Sequence, residues 1–296
     1  MTRYRSLDAV DVSEVQERLY RLEDRPRETV EFREAMQQVY LEAENPKAAG
    51  LSFPWREVQW CTRGMQPGAV TILAAETSVG KTAAALEITD HLIKDDKTVL
   101  YLSLEMTPVE LGRRMAQRHG YDVDAHYRGN ADTSPVLKLE NDYGKRKPSH
   151  ISSVDTVEQI PVLIRRHKPD LVIVDHMGRL RGQGKSEYER VSSISWGLKT
   201  LAARYDLPIL SLCQLSRRHD QRNKIPSLDR LRDSGRIEED ASIVILVHRD
   251  RDENQILSDK GCFVVAKSRG GKLGKTQFTF NADAQVFILT EKRWER

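Results

Sequence analysis

The run Val70-Thr71-Ile72-Leu73-Ala74-Ala75-Glu76-Thr77-Ser78-Val79-Gly80-Lys81-Thr82 leaves this chain few folds to choose from. A short apolar stretch, Val70 to Leu73, reads as a buried strand. It ends in a turn of small residues and passes at once into Ala83-Ala84-Ala85-Leu86-Glu87-Ile88, a helix former. Strand, small-residue turn and helix in that order make a phosphate-binding loop. Backbone N–H groups of the turn face the anion, and the helix N-terminus adds the positive end of its dipole. Lys81 then reaches the β- and γ-phosphates of ATP or another NTP, and Thr82 sets its hydroxyl on Mg²⁺. Ala75 stands where the general pattern has its first glycine, and a side chain that small still permits the turn. Ala75, Ser78, Val79, Gly80, Lys81 and Thr82 are the nucleotide-binding residues expected here, with Lys81 also catalytic.

Of the 296 residues 39% are hydrophobic, enough for a core, while 31% are charged and make a polar surface. The net charge is only +3, so nucleic-acid binding would have to come from local basic clusters. Cys61, Cys213 and Cys262 have no metal-ligand spacing, and two of them fall in apolar strand-like runs. Buried free thiols in a reducing compartment are expected. Met1-Thr2-Arg3-Tyr4-Arg5 lacks the apolar segment of a signal peptide, and no run approaches the roughly 20 apolar residues of a membrane span. The reading is a soluble, cytoplasmic protein without a membrane partner.

Residues 1–49 form a helical N-terminal arm and linker in this reading, with helices about Val12 to Glu23 and Glu28 to Glu44. Val15, Leu19 and Leu22, then Phe32, Met36, Val39 and Tyr40, give each an apolar stripe. Residues 50–296 alternate strand and helix. Strands are expected at Val70–Ala74, Thr98–Ser103, His150–Ser153, Leu171–Asp175, Ile209–Gln214 and Ser242–His248, then at Gly261–Ser268 and Gln277–Phe280. Helical stretches between most of the first six call for an α/β fold, a mostly parallel central sheet covered on both faces. The last two, joined by a Gly-rich stretch, read as a C-terminal hairpin at one edge.

Asp175 ends the apolar run Leu171-Val172-Ile173-Val174. At the tip of a parallel strand it faces the ligand crevice and suits the Mg²⁺ that Thr82 touches. Glu105 ends Val99-Leu100-Tyr101-Leu102-Ser103-Leu104, and it reads either as a group that activates a water or as the first-turn acid of a helix near Thr107-Pro108. Gln214, on a third tip, suits sensing of the γ-phosphate. Lys267 and Arg269 are two apart on an extended segment and share a face. They read either as an anion site or as a solvated hairpin face.

Taken together, residues 72–82, Ser103-Leu104-Glu105-Met106, residues 211–217, residues 231–241 and Ala266-Lys267-Ser268-Arg269-Gly270-Gly271 resemble the motor domain of DnaB-type replicative helicases. Alanine at the first loop position is usual in that family. The resemblance covers about Gly50 to the C-terminus. It implies a RecA-like P-loop fold, a hexameric ring of identical subunits, and NTP-driven 5′-to-3′ translocation on single-stranded DNA. By the same resemblance Glu105 is the catalytic carboxylate, Gln214 the γ-phosphate sensor and Arg114 a further phosphate contact. Lys267 and Arg269 would act in the neighbouring subunit's site, while Arg232, Asp233 and Gly235 would lie on a DNA-holding loop. A primase or a helicase loader would be a partner. The chain departs from the family in two ways: only about 50 residues precede the motor, as in a compact phage or plasmid form, and His176 replaces the usual aromatic after the aspartate.

Three basic loops suit a nucleic-acid backbone. Arg179, Arg181 and Lys185 lie among glycines; Arg217, Arg218, Arg222 and Lys224 form a second group, and Arg230, Arg232 and Arg236 a third. Aromatic residues are scarce in all three, which favours phosphate contacts over base stacking. Two other functions fit a phosphate loop: a RecA- or RadA-like recombination ATPase, and a non-hydrolysing assembly adaptor. The Ser-Leu-Glu-Met and Lys-Ser-Arg segments argue against the first, and the retained carboxylates against the second.

Overall fold

The computed structural model describes residues 31–44, 50–215, 225–252, 254 and 256–290. The chain divides into two compact units, Met1–Ala48 and Ala49–Arg296. Helix α1 (Phe32–Glu44) belongs to the first, and its Phe32, Met36, Val39 and Tyr40 are exposed. It begins four residues later than the expected Glu28; the helix expected at Val12 to Glu23 lies outside the described residues.

In the second unit the order is α2 (Arg56–Thr62), β1 (Val70–Ala75), α3 (Lys81–Lys94), β2 (Val99–Ser103), α4 (Pro108–Arg118), α5 (Val123–Tyr127) and α6 (Ser134–Gly144). It continues with β3 (His150–Ser152), α7 (Ile160–His167), β4 (Leu171–Asp175), α8 (Glu187–Tyr205), β5 (Ile209–Gln214) and α9 (Gly235–Asp240). Strands β6 (Ile243–Arg251), β7 (Leu257–Ser268), β8 (Gly274–Asn281) and β9 (Val286–Leu289) close it. Among the described residues nine strands form one sheet in the order β3-β2-β4-β5-β1-β6-β7-β8-β9. The six strands from β3 to β6 run parallel. The remaining pairs are antiparallel, so a four-stranded meander replaces the single hairpin expected and β9, absent from the sequence reading, takes the edge.

The central strands are largely apolar because both faces are covered. Leu73 and Ala75 of β1 pack with Ile88 and Leu92 of α3 on one face, while Val70, Ile72 and Ala74 pack with Leu198 and Leu201 of α8 on the other. Period-two alternation thus divides each strand between two cores. The helices that cover them start at clear signals. Thr107 caps α4 reciprocally with Glu110, and Ser186 caps α8 reciprocally with Glu189. Cys61, Cys213 and Cys262 are free and buried, and burial pushes the thiols of Cys61 and Cys213 up to about 11. Among the described residues no helix is long and apolar enough to cross a membrane.

Candidate active site

Strand β1 ends at Ala75, fully buried, and the chain turns through Glu76 to Gly80 into α3. Gly80 has φ +117°, and a Cβ there would stand 3.0 Å from the Phe287 ring, so both backbone and space call for glycine. Lys81 opens the helix. Its ammonium is pushed below the usual lysine range by burial, a shift that Asp175, Cys213 and Glu105 oppose. Thr82 donates its hydroxyl to Asp175 Oδ2 at 3.0 Å, joining the loop to the tip of β4.

Asp175 is 3% exposed, and the same Oδ2 accepts from the Tyr101 hydroxyl at 2.7 Å. Burial first, and Asp175 second, hold the Tyr101 phenol well above its ordinary range, so it stays a donor. Oδ1 of Asp175 is buried with no hydrogen-bond partner among the described residues. A buried carboxylate oxygen left without a donor fits a cation. Among the described residues no three His, Cys, Asp or Glu side chains converge as a metal site. The unpaired Oδ1 is the kind of oxygen that Mg²⁺ takes, since that ion is held by one or two carboxylates together with water and substrate phosphates. Tyr101 went unnoticed in the sequence, although a phenol inside the apolar run of β2 is the kind of residue that asks for a partner.

Ser103 of β2 stands opposite Asp175, and the N–H of Leu104 donates to the Asp175 carbonyl at 2.8 Å. Glu105 therefore emerges beside the Asp175 tip. The first-turn acid of α4 is Glu110, which leaves Glu105 free of that role. Its Oε1 accepts from His176 Nε2 and from Arg179 Nε, each at 3.1 Å. Burial would raise the Glu105 carboxyl, but His176, Arg179 and Lys81 outweigh it and hold it below the ordinary range. On β5, Gln214 lies opposite Ala75 and donates to the Thr77 hydroxyl at 2.9 Å. Arg114, half-buried on α4, is close enough for its charge to act on Tyr101 and Glu110.

The basic residues divide. Lys267 and Arg269 are not short of partners within the subunit: they donate to the backbone carbonyls of Glu238 and Glu239 at the end of α9. Arg179 spends its Nε on Glu105, Arg181 lies 3.7 Å from Asp155, and Lys185 is exposed. Arg230 leaves the proposed third DNA group, being 7% exposed and 2.6 Å from Glu76 of the phosphate loop. Arg236 pairs with Asp240 at 3.3 Å. Arg232 and Asp233 belong to a 3₁₀ turn, Leu228–Ser234, and Gly235 opens α9. Arg217 and Arg222 lie outside the described residues. The glycines after β4 serve close packing, and Gly184, at φ +138°, also needs glycine's backbone freedom. A Cβ on Gly182 would meet Ile194 Cγ1 and Ser193 Oγ of α8 at 2.8 Å, and one on Gly184 would press on Glu189.

A family model described as the DnaB-like helicase C terminal domain matches residues 50–288. The chain belongs to that family. Among curated relatives it is 33% identical over 263 residues to the replicative DNA helicase DnaB of Geobacillus stearothermophilus, covering 83% of this chain and 58% of that one. It is 29% identical over 240 residues to a probable plasmid replicative DNA helicase of Chlamydia muridarum, covering 77% and 52%. The chain thus spans little more than half the length of these relatives. Of solved structures, one of an isolated ATPase domain superposes with a TM-score of 0.80 at 26% identity, over 89% of this chain and all of that one. A DnaB-like replicative helicase studied with primase superposes with a TM-score of 0.75 at 26% identity, over 94% of this chain and 71% of that one. The RecA-like α/β architecture and the nucleotide-binding character of the family follow from these likenesses.

Proposed function

We propose that this protein is an ATP-hydrolysing DNA helicase that assembles as a hexameric ring and moves 5′ to 3′ on single-stranded DNA during replication in the cytoplasm. Residues 50–296 would be the motor and residues 1–49 an arm and linker, with a primase or a loader as the partner protein. One observation carries the reading: the hydroxyl of Thr82 is bonded to Asp175, and Glu105 stands on the adjacent strand tip within the same charge field as Lys81. A non-hydrolysing adaptor has no use for that third group.

Ala75, Ser78, Val79 and Gly80 shape the loop around the phosphates, Lys81 pairs with the β/γ-phosphate charge, and Arg114 adds a further contact. Mg²⁺, held by Thr82 and Asp175, would neutralise charge between the β- and γ-phosphate oxygens. Glu105 takes a proton from the attacking water as its oxygen bonds to the γ-phosphorus and the bond to the bridging oxygen breaks. Gln214, through Thr77, reports whether the γ-phosphate is present. Lys267 and Arg269 would leave the α9 carbonyls for the neighbouring subunit's nucleotide. Arg179, Arg181, Lys185, Arg217, Arg222, Arg232, Asp233 and Gly235 would hold the DNA backbone.

Fluorescent-nucleotide titration and phosphate release on two variants test this. Lys81→Ala should lose nucleotide affinity, whereas Glu105→Gln should bind as the wild type does and turn over about 10²–10⁴-fold more slowly. On forked duplexes the wild type should displace a strand only when the single-stranded tail is 5′. Near wild-type hydrolysis by Glu105→Gln, or unwinding from the 3′ tail, would overturn the assignment.

A further inference from the structure

The catalytic candidate Glu105 is held by two donors of different character, and both fall on one oxygen. His176 Nε2 and Arg179 Nε each lie 3.1 Å from Oε1, while Oε2 takes no donor among the described residues. The His176 side chain is 11% exposed and its ring is fixed at the other end, because Nδ1 accepts the Gly178 N–H at 3.1 Å. With Nδ1 an acceptor, the proton of the neutral ring sits on Nε2, so His176 donates to Glu105 and keeps it aimed. Arg179 is different: its side chain is 62% exposed, at the end of a 3₁₀ turn, Met177–Arg179, that leads into the basic loop after β4. Two positions on, Arg181 is 79% exposed.

We infer that Arg179 is a DNA-released restraint on Glu105 and His176 its positioning residue: with no strand bound the guanidinium occupies the carboxylate, and a backbone phosphate takes it away. This rests on the reading of Glu105 as the base and of the β4 loop as a DNA contact. A pair this exposed is held weakly, and a phosphate offers guanidinium a second, geometrically matched anion. While Arg179 is on Oε1 the carboxylate is a poorer acceptor for the water proton. Once it leaves, the buried His176 bond remains and the group is free to act. No other group on Glu105 needs to move for the carboxylate to respond to DNA.

Linkage makes the idea testable without turnover, since a cation shared by two anions couples them reciprocally. In nucleotide-free anisotropy titrations with oligo-dT, Glu105→Ala should bind DNA about two- to fivefold more tightly than wild type, the fold-change of a partly exposed ion pair. In an Arg179→Gln background the same substitution should change nothing. In hydrolysis assays Arg179→Gln should raise the DNA-free rate by about the same factor and shrink the stimulation by DNA. His176→Phe should lower DNA-stimulated kcat with KM unchanged, and His176→Gln, which restores a donor, should recover part of it. Equal DNA affinity of Glu105→Ala and wild type, or an unchanged or lower DNA-free rate in Arg179→Gln, overturns the restraint. A His176→Gln no better than His176→Phe overturns the positioning role. A wild type indifferent to DNA, or hydrolysis that survives Glu105→Gln, would instead sink the functional reading beneath it.

Discussion

Arg230 sets its guanidinium 2.6 Å from the carboxylate of Glu76, two side chains separated by 154 positions in the chain. One lies on the 3₁₀ turn before α9 and the other in the phosphate loop, at 7% and 28% side-chain exposure. Removing one partner leaves a poorly hydrated charge, which costs more than the pair itself contributes. Arg230→Met should lower stability by about 1–3 kcal/mol, and the swap Glu76→Arg with Arg230→Glu should regain at least half of it. Urea denaturation of the wild type, Arg230→Met, the single reversals Glu76→Arg and Arg230→Glu, and the swap reads this; a swap as unstable as the worse single reversal would mean that the two charges do not act as a pair.

The turn carrying Arg232 is proposed to hold a DNA phosphate. Arg232→Ala should weaken single-strand binding by a similar factor for every oligonucleotide sequence. The slope of log affinity against log salt should become shallower by about 0.7, the value of one lost phosphate contact on a single strand. Anisotropy titrations across a salt series measure both, and a change confined to one sequence would speak for base readout instead.

Lys267 and Arg269 rest on the carbonyls of Glu238 and Glu239 within the subunit, so the proposed action on a neighbour requires that they let go. Burial, Arg269 and Lys199 lower the Lys267 ammonium, an arrangement eased by any arriving anion. Arg269→Ala should cut DNA-stimulated hydrolysis on the order of a thousandfold with nucleotide affinity retained. Mixed with Lys81→Ala subunits, it should regain a fraction of the activity that neither parent shows. No recovery in rings proved to contain both would place the arginine's role inside its own subunit.

Acid stability should report on Asp90, where α3, α4 and α6 meet. Its carboxylate accepts from Lys94 at 2.8 Å, His119 at 3.1 Å and Tyr143 at 2.8 Å. Burial would raise this carboxyl, but the hydrogen bonds from His119, Lys94 and Tyr143 outweigh it and hold it well below the carboxylate range. A carboxyl lowered on folding stabilises above its unfolded value and loses that contribution as pH falls below it. Asp90→Asn should cost about 1–3 kcal/mol at pH 7, and its deficit should narrow below about pH 4. Thermal melts of both proteins from pH 7 to pH 2.5 show whether the curves converge.

Much of the framework was legible because its elements obey one rule each. The strands β1, β2, β4 and β5 are largely apolar runs stopped by turn residues, and a parallel sheet buried on both faces leaves that pattern. Glu105, Asp175 and Gln214 stood out as polar residues at the ends of such runs, and Lys81 and Thr82 as the start of the helix that follows the small-residue turn. The antiparallel part was blurred. Asp250 and Lys260 belong to β6 and β7 yet are exposed, so they read as loop. Val286–Leu289 is too short to show a period and follows a turn in which Gln285 has φ +53°. The partners of Arg230, Lys267 and Arg269 were hidden for a different reason. A half-buried carboxylate far along the chain cannot be told from a solvated one by spacing, and a backbone carbonyl leaves no trace in side-chain identity.

Gly182 and Gly184, pressed flat on α8, make the loop after β4 part of a beam. That helix has 19 residues, about 28 Å at 1.5 Å each, and midway along it Ser195 and Lys199 grip Asp240 at 3.0 and 2.9 Å. Asp240 closes the helix whose last carbonyls hold Lys267 and Arg269. Stiffness at two glycines therefore has a reach of its own: a displacement of the basic loop would be carried along α8 to the helix that holds the two cations, and in the proposed ring that would tie the loop's contact with a strand to the neighbouring site.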